Sequence, residues 1–183
     1  MRSELKDLLI SWIIISFCFA FTPRIWDLLF LLPISGITAG LGFVLHELGH
    51  RYFARRAGCV AYYRMWRWGL ILALATSILS AGGFIFAAPG AVYIACLYRD
   101  LTREEEASIS AAGPAANIAL ALLFLFLHLG IVSRMGFQVN SYLAFFNLLP
   151  LPPLDGWKLL RSNFVLWVVL MGLAAFMTFF VHL

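Results

Sequence analysis

Long apolar runs, interrupted by short charged or Gly/Pro-rich stretches, dominate this chain, and the interruptions predict where its elements end. The first run covers about Leu5 to Phe21 and stops at Thr22-Pro23-Arg24, a turn signal with one positive charge. A second begins at Ile25, meets Pro33, and continues as a helix from about Ile34 to Ala57, roughly 36 Å long at 1.5 Å per residue. Pro33 is expected to kink this helix or to mark its start. After Gly58, the stretch Ala61-Tyr62-Tyr63-Arg64-Met65-Trp66-Arg67-Trp68 reads as an aromatic and basic interfacial loop. Leu70 to Ser80 and Phe84 to Leu97 are apolar but short. They suggest a helix followed by a hairpin or re-entrant segment, broken at Gly82-Gly83 and Pro89-Gly90. The mixed-charge run Arg99 to Glu106 leads into a helix from about Ala107 to Leu129, and Glu104, Glu105 and Glu106 suit its N-terminus. A further run, Val139 to Leu149, breaks at Pro150-Leu151-Pro152-Pro153 and resumes beyond Asp155-Gly156-Trp157. The last run is about Asn163 to Leu183. The pattern predicts an all-α polytopic membrane protein with five or six membrane-associated segments.

Composition agrees with that class. Of 183 residues, 63% are hydrophobic and only 12% charged, and the mean hydropathy is +0.92, far from the soluble average. A single integral-membrane domain over residues 1–183 is expected, with its core at about 34–160. The net charge of +4 comes from arginines beside apolar segments, which read as topology determinants, so no nucleic-acid partner is expected. Arg51, Arg55, Arg56, Arg64 and Arg67 outweigh Arg24 across the motif helix, which places its C-terminal end on the cytosolic side. Cys18, Cys59 and Cys96 are odd in number and form no C-x-x-C pair, so they read as packing residues with no disulfide framework. Arg2 and Lys6 ahead of Leu8 to Ala20 could imitate a signal peptide, although a first membrane helix satisfies the same pattern.

Within the second apolar helix lies His46-Glu47-Leu48-Gly49-His50. Positions i and i+4 share one helix face, so the two imidazoles can reach one Zn²⁺ while Glu47 stands close enough to take the proton of an attacking water. Burying these groups in an apolar helix is costly, and intramembrane ionisable residues are functional candidates by default. Glu47 precedes Arg56 by nine residues, about 14 Å along the helix, which puts the chemistry inside the bilayer toward the cytosolic side. Catalytic zinc normally takes three protein ligands. Asp155 is the candidate for the third, because it follows a proline break, and irregular backbone at membrane depth must be buried or line a wet cavity. As a plain alternative, Pro-Leu-Asp-Gly is good turn chemistry. No metzincin-type third histidine follows the motif, since Tyr52, Phe53 and Arg56 occupy that stretch. His128 and His182 lie near helix ends and read as interfacial.

Three motifs together, His46-Glu47-Leu48-Gly49-His50, Gly113-Pro114-Ala115-Ala116-Asn117, and Asn147 through Pro150-Leu151-Pro152-Pro153-Leu154-Asp155-Gly156, resemble in order and spacing those of the site-2 protease family of intramembrane zinc metalloproteases. The resemblance implies His46, His50 and Asp155 as ligands of one catalytic Zn²⁺ and Glu47 as catalytic base. The PDZ and CBS modules common in that family have no counterpart in residues 1–183, which leaves a separate regulatory partner open. Gly82 to Ile94 resembles the family's membrane-embedded β segment, with Phe84, Ile85, Phe86, Ala87 and Ala88 as the candidate substrate strand.

The implied activity is peptide-bond hydrolysis within or near transmembrane segments of membrane-protein substrates in the lipid bilayer, as in regulated intramembrane proteolysis. Asn147 is a candidate oxyanion donor and Asn117 a second; both could instead be packing amides, with Gly113 allowing close helix approach. Two other classes compete: a membrane metal-ion transporter, which needs ligands strung along a route, and a catalytically silent binder of membrane segments, which has no need of Glu47.

Overall fold

The computed structural model describes residues 2–181; His182 lies outside them. Eight α-helices and two short strands follow in the order α1 (Arg2–Ala20), α2 (Ile25–Ser35), α3 (Leu41–Arg56), β1 (Val60–Met65), α4 (Arg67–Leu79), β2 (Gly90–Ala95), α5 (Arg103–Leu127), α6 (Ile131–Asn147), α7 (Asp155–Ser162) and α8 (Phe164–Phe179). A π-helical turn, Gly36–Gly40, joins α2 to α3, so one helix of 32 residues runs from Ile25 to Arg56. Of the two alternatives expected at Pro33, a kink or the helix start, the start is therefore ruled out. Pro33 lacks an N–H, and the wide turn just after it absorbs the disruption. Side chains satisfy carbonyls there: Trp12 Nε1 donates to Gly36 O at 3.1 Å and Thr38 Oγ1 to Ile34 O at 2.9 Å.

The expectation of five or six membrane segments is not met. Among the described residues two helices are long and apolar enough to cross a bilayer, Ile25–Arg56 and Arg103–Leu127. A hydrocarbon core of about 30 Å takes roughly 20 apolar residues. α4, α6 and α8 have 13, 17 and 16 residues, while α1 carries Glu4, Lys6 and Asp7 near its start. Apolar runs in the sequence thus overstate spans, because tight turns and charged ends cut the helices short.

The fold is also not purely helical. β1 and β2 form an antiparallel two-stranded sheet in the register Val60↔Ala95 to Met65↔Gly90. β1 falls in the stretch expected to be an interfacial loop. Its backbone is held from α1: Glu4 accepts the N–H of Tyr63 at 3.1 Å and Asp7 that of Met65 at 3.4 Å. Phe84 to Ala88 is not a strand. Side chains hold its backbone instead: Phe86 N–H donates to Thr76 Oγ1 at 2.9 Å, and Tyr142 Oη donates to Ile85 O at 2.6 Å. Cys59 and Cys96, expected as packing residues, form a disulfide. They flank the terminal strand pair Val60↔Ala95, a proximity created by strand pairing across 37 residues.

Two apolar clusters hold these elements together. One joins α1, α3 and α6 with Ile85, Ala87 and Ala88, and the other packs α5, α6 and α8. The functional face of α3 lies against α5, with Gly49 over the Ala112 backbone: a Cβ on Gly49 would stand 3.0 Å from Ala112 O. A capping box starts α5, with Thr102 Oγ1 accepting the Glu105 N–H and Glu105 accepting the Thr102 N–H.

Candidate metal centre

His46 and His50 project from one face of α3, one turn apart, and both are buried. Asp155 opens α7 and reaches the same point from the opposite side. A Cβ on Gly156 would stand 2.0 Å from Leu148 O. The missing side chain is therefore what lets α7 begin directly against the end of α6 and present its aspartate. The two Nε2 atoms lie 3.0 Å apart, and Asp155 Oδ2 is 3.2 Å from His46 Nε2 and 3.0 Å from His50 Nε2.

The tautomers of both histidines follow from their partners. His50 Nδ1 lies 2.7 Å from the carbonyl of Ile109, which can only accept, so this nitrogen carries the hydrogen. His46 Nδ1 lies 2.7 Å from Asn117 Oδ1. Asn117 Nδ2 is engaged with Gly42 O at 3.1 Å and Asn140 Oδ1 at 3.0 Å, so the amide oxygen faces His46 and accepts from it. Both Nε2 atoms then present lone pairs to each other and to a carboxylate oxygen. Three acceptors converging at about 3 Å repel one another unless a cation lies among them. Tetrahedral zinc with Zn–N near 2.05 Å separates its ligand atoms by about 3.3 Å, close to the spacing found here. The donor set therefore fits Zn²⁺.

Space at this point is also reserved. A Cβ on Gly113 of α5 would stand 2.4 Å from His50 Nε2 and 2.5 Å from His46 Nε2. Gly113 thus does more than permit close helix approach: it leaves the volume beside both ring nitrogens empty.

A cavity of about 460 Å³ opens beside His46, His50 and Asp155. Glu47 lines it, 6% exposed, and its Oε2 has no hydrogen-bond partner among the described residues. Ala87 to Ile94, hence most of β2, form another wall, with Asn147, Arg64 and Lys158 also on its lining. Asn147 donates one of its two Nδ2 hydrogens to Leu143 O at 2.9 Å, within its own helix. Asn117 uses both amide hydrogens and its oxygen within the protein. Of the stretch Phe84 to Ala88, only Ala87 and Ala88 reach the cavity.

Two features were not read from the sequence: the Ile109 carbonyl behind His50, and Asn140 behind Asn117. The first has no side-chain signal. The second did, since a fully buried amide in an apolar helix requires named partners.

A zinc-fitting His-His-Asp group beside a buried glutamate defines a metallohydrolase centre, and comparison with known proteins narrows the class. The chain belongs to a family of zinc metalloproteases. It is 41% identical over 97% of its length to a protein of Methanocaldococcus jannaschii provisionally named zinc metalloprotease MJ0611, of which it covers 96%. It is 30% identical over 72% of its length to one of Bacillus subtilis provisionally named zinc metalloprotease YwhC, of which it covers 69%. A third relative, the Rip2 zinc metalloprotease of Mycolicibacterium smegmatis, also provisionally named, is 32% identical over 73% of the chain. No family model and no solved structure matches. The cofactor is Zn²⁺, in accord with the relatives and with the His-His-Asp group.

Proposed function

We propose that the protein is an intramembrane endopeptidase of the site-2 protease type, cutting transmembrane segments of other membrane proteins. The observation that carries this reading is the placement of two buried metal-binding histidines, and of a glutamate whose Oε2 has no hydrogen-bond partner among the described residues, on a helix of 32 residues long and apolar enough to cross a bilayer, where Asp155 of α7 meets them. A hydrolytic centre at that depth acts on peptide bonds that lie in lipid. His46, His50 and Asp155 are its ligands. When bound, Zn²⁺ supplies Lewis acidity, polarising a scissile carbonyl and acidifying water.

The chain's own residues do the rest. Glu47, whose Oε2 has no hydrogen-bond partner among the described residues, takes the proton of the attacking water and returns one to the leaving amine. Asn147 lines the cavity, and the second hydrogen of its Nδ2 is a donor for the developing oxyanion. A substrate helix has its amides paired internally and must unwind before its carbonyl is accessible. β1 is flanked on one side by the α1 carboxylates and on the other by β2. The outer edge of β2, on the cavity wall, is the place where an unwound chain can pair. This moves the substrate strand from residues 84–88 to 90–95.

The polar groups meet at one point instead of marking a route, which favours hydrolysis over ion transport. The test is cleavage of single-span membrane substrates in liposomes by wild type and Glu47→Gln, with zinc measured in both and cut sites mapped by mass spectrometry. Cuts inside the span by wild type alone, at equal zinc, are expected. Cuts confined to soluble loops would refute the intramembrane reading.

A further inference from the structure

We propose that Asn140 is a positioning residue of the metal centre: it holds Asn117 in the orientation that receives the His46 Nδ1–H, and so keeps a lone pair on His46 Nε2 for the metal. The inference rests on the reading of His46, His50 and Asp155 as zinc ligands.

The argument starts from backbone carbonyls, which can only accept. Asn140 Nδ2 donates to Gly136 O at 2.8 Å and to Thr38 O at 3.3 Å, so its oxygen faces the other way. That oxygen accepts from Asn117 Nδ2 at 3.0 Å, and the second Asn117 hydrogen goes to Gly42 O at 3.1 Å. Asn117 Oδ1 is left to accept from His46 Nδ1 at 2.7 Å. Each amide is oriented by the one before it, from α6 through α5 to α3. Both are fully buried, so no solvent competes for these bonds. Turning Asn117 over would place its N–H groups against His46 Nδ1 and its oxygen against Asn140 Oδ1 and Gly42 O, both of which can only accept. The imidazole would then hold its hydrogen on Nε2, pointed at His50 and Asp155 where the metal belongs.

Close approach of the helices makes the relay possible. A Cβ on Gly42 would stand 2.2 Å from Asn140 Oδ1 and 3.3 Å from Asn117 Nδ2. His50 is oriented differently, by the main-chain carbonyl of Ile109. Loss of Asn140 should therefore disturb one imidazole of the two.

The test uses the full chain in detergent, with Zn²⁺ affinity measured by chelator competition and the visible absorption of the Co²⁺-loaded protein as a report on ligand geometry. Asn140→Leu removes the amide, while Gly42→Ala pushes on the same relay without deleting a polar group. Asn140→Asp, protonated when buried, keeps an acceptor for Asn117 and a donor for Gly136 O. Ser141→Ala is the control, since Ser141 is the next buried residue of α6 and its Oγ has no partner. Zinc affinity should fall by about 10–100-fold in Asn140→Leu and Gly42→Ala, the usual cost of losing an outer-shell partner, with an altered Co²⁺ spectrum. Asn140→Asp should stay nearer to wild type than Asn140→Leu. The proposal is overturned if Asn140→Leu and Gly42→Ala, folded by circular dichroism, match Ser141→Ala in both readouts while His46→Ala loses metal. If His46→Ala itself binds zinc as wild type does, the ligand assignment fails instead.

Discussion

Adding one methyl group at Gly113 should empty the metal centre without unfolding the protein. The Cβ of Gly113→Ala would lie 2.4 Å from His50 Nε2 and 2.5 Å from His46 Nε2, whereas ordinary contact begins at 3.4 Å. Each ring nitrogen must retreat by about 1 Å, twice the tolerance of roughly 0.5 Å within which a functional constellation keeps its geometry. Both imidazoles are held from behind at 2.7 Å, by Asn117 and by Ile109, so neither can retreat freely. A loss of at least 100-fold in zinc affinity is expected, about 2.7 kcal/mol. Ala favours the α5 helix over Gly by about 1 kcal/mol, which offsets part of an overpacking cost of about 1–3 kcal/mol. The melting temperature of the metal-free protein should thus change little. Isothermal titration with Zn²⁺ and thermal circular dichroism provide the two readouts. Gly172→Ala, a helical glycine with open space around it, is the control. Wild-type zinc affinity in Gly113→Ala would refute the reasoning, since the added carbon would then have to lie away from the ligand atoms.

Glu47→Gln should keep full zinc occupancy, measured by atomic emission, while hydrolysis falls by about 10²–10⁴-fold. Asp155→Asn should lose or weaken zinc, because a neutral amide replaces the ionised ligand; unchanged metal content would count against Asp155. Asn147→Leu should lower kcat by about 10²–10³-fold at full zinc occupancy, the usual scale for one oxyanion donor. An unchanged kcat would remove it from the mechanism. In Gly156→Ala the new Cβ would stand 2.0 Å from Leu148 O, so α7 must shift, and both zinc content and thermal stability should drop together.

The grouping of His46, Glu47 and His50 on one helix was legible in the sequence because helical spacing is a local property. His46 and His50 stand one turn apart wherever α3 lies, and Glu47 must neighbour them. Asp155 could be chosen from the proline break before it, together with the family resemblance of the three motifs. Element ends were less legible. Apolar runs are continuous in hydropathy, yet the π-helical turn at Gly36–Gly40, the short helices α4 and α8, and the charged start of α1 depend on packing and hydrogen bonding. Expected spans therefore outnumbered the helices able to cross a bilayer.

Pairing between distant segments could be decided only by tertiary structure. Val60 meets Ala95, and with them Cys59 meets Cys96, because strand register is a relation between two segments that neither encodes alone. The same holds for the hydrogen-bond partners of the ligands. Asn117 lies 71 residues from His46, and Asn140 a further 23 along the chain. Spacing along one helix selects the atoms that can bind a metal, while the packing of α5 and α6 against α3 sets which ring nitrogen carries the hydrogen and where the lone pairs converge.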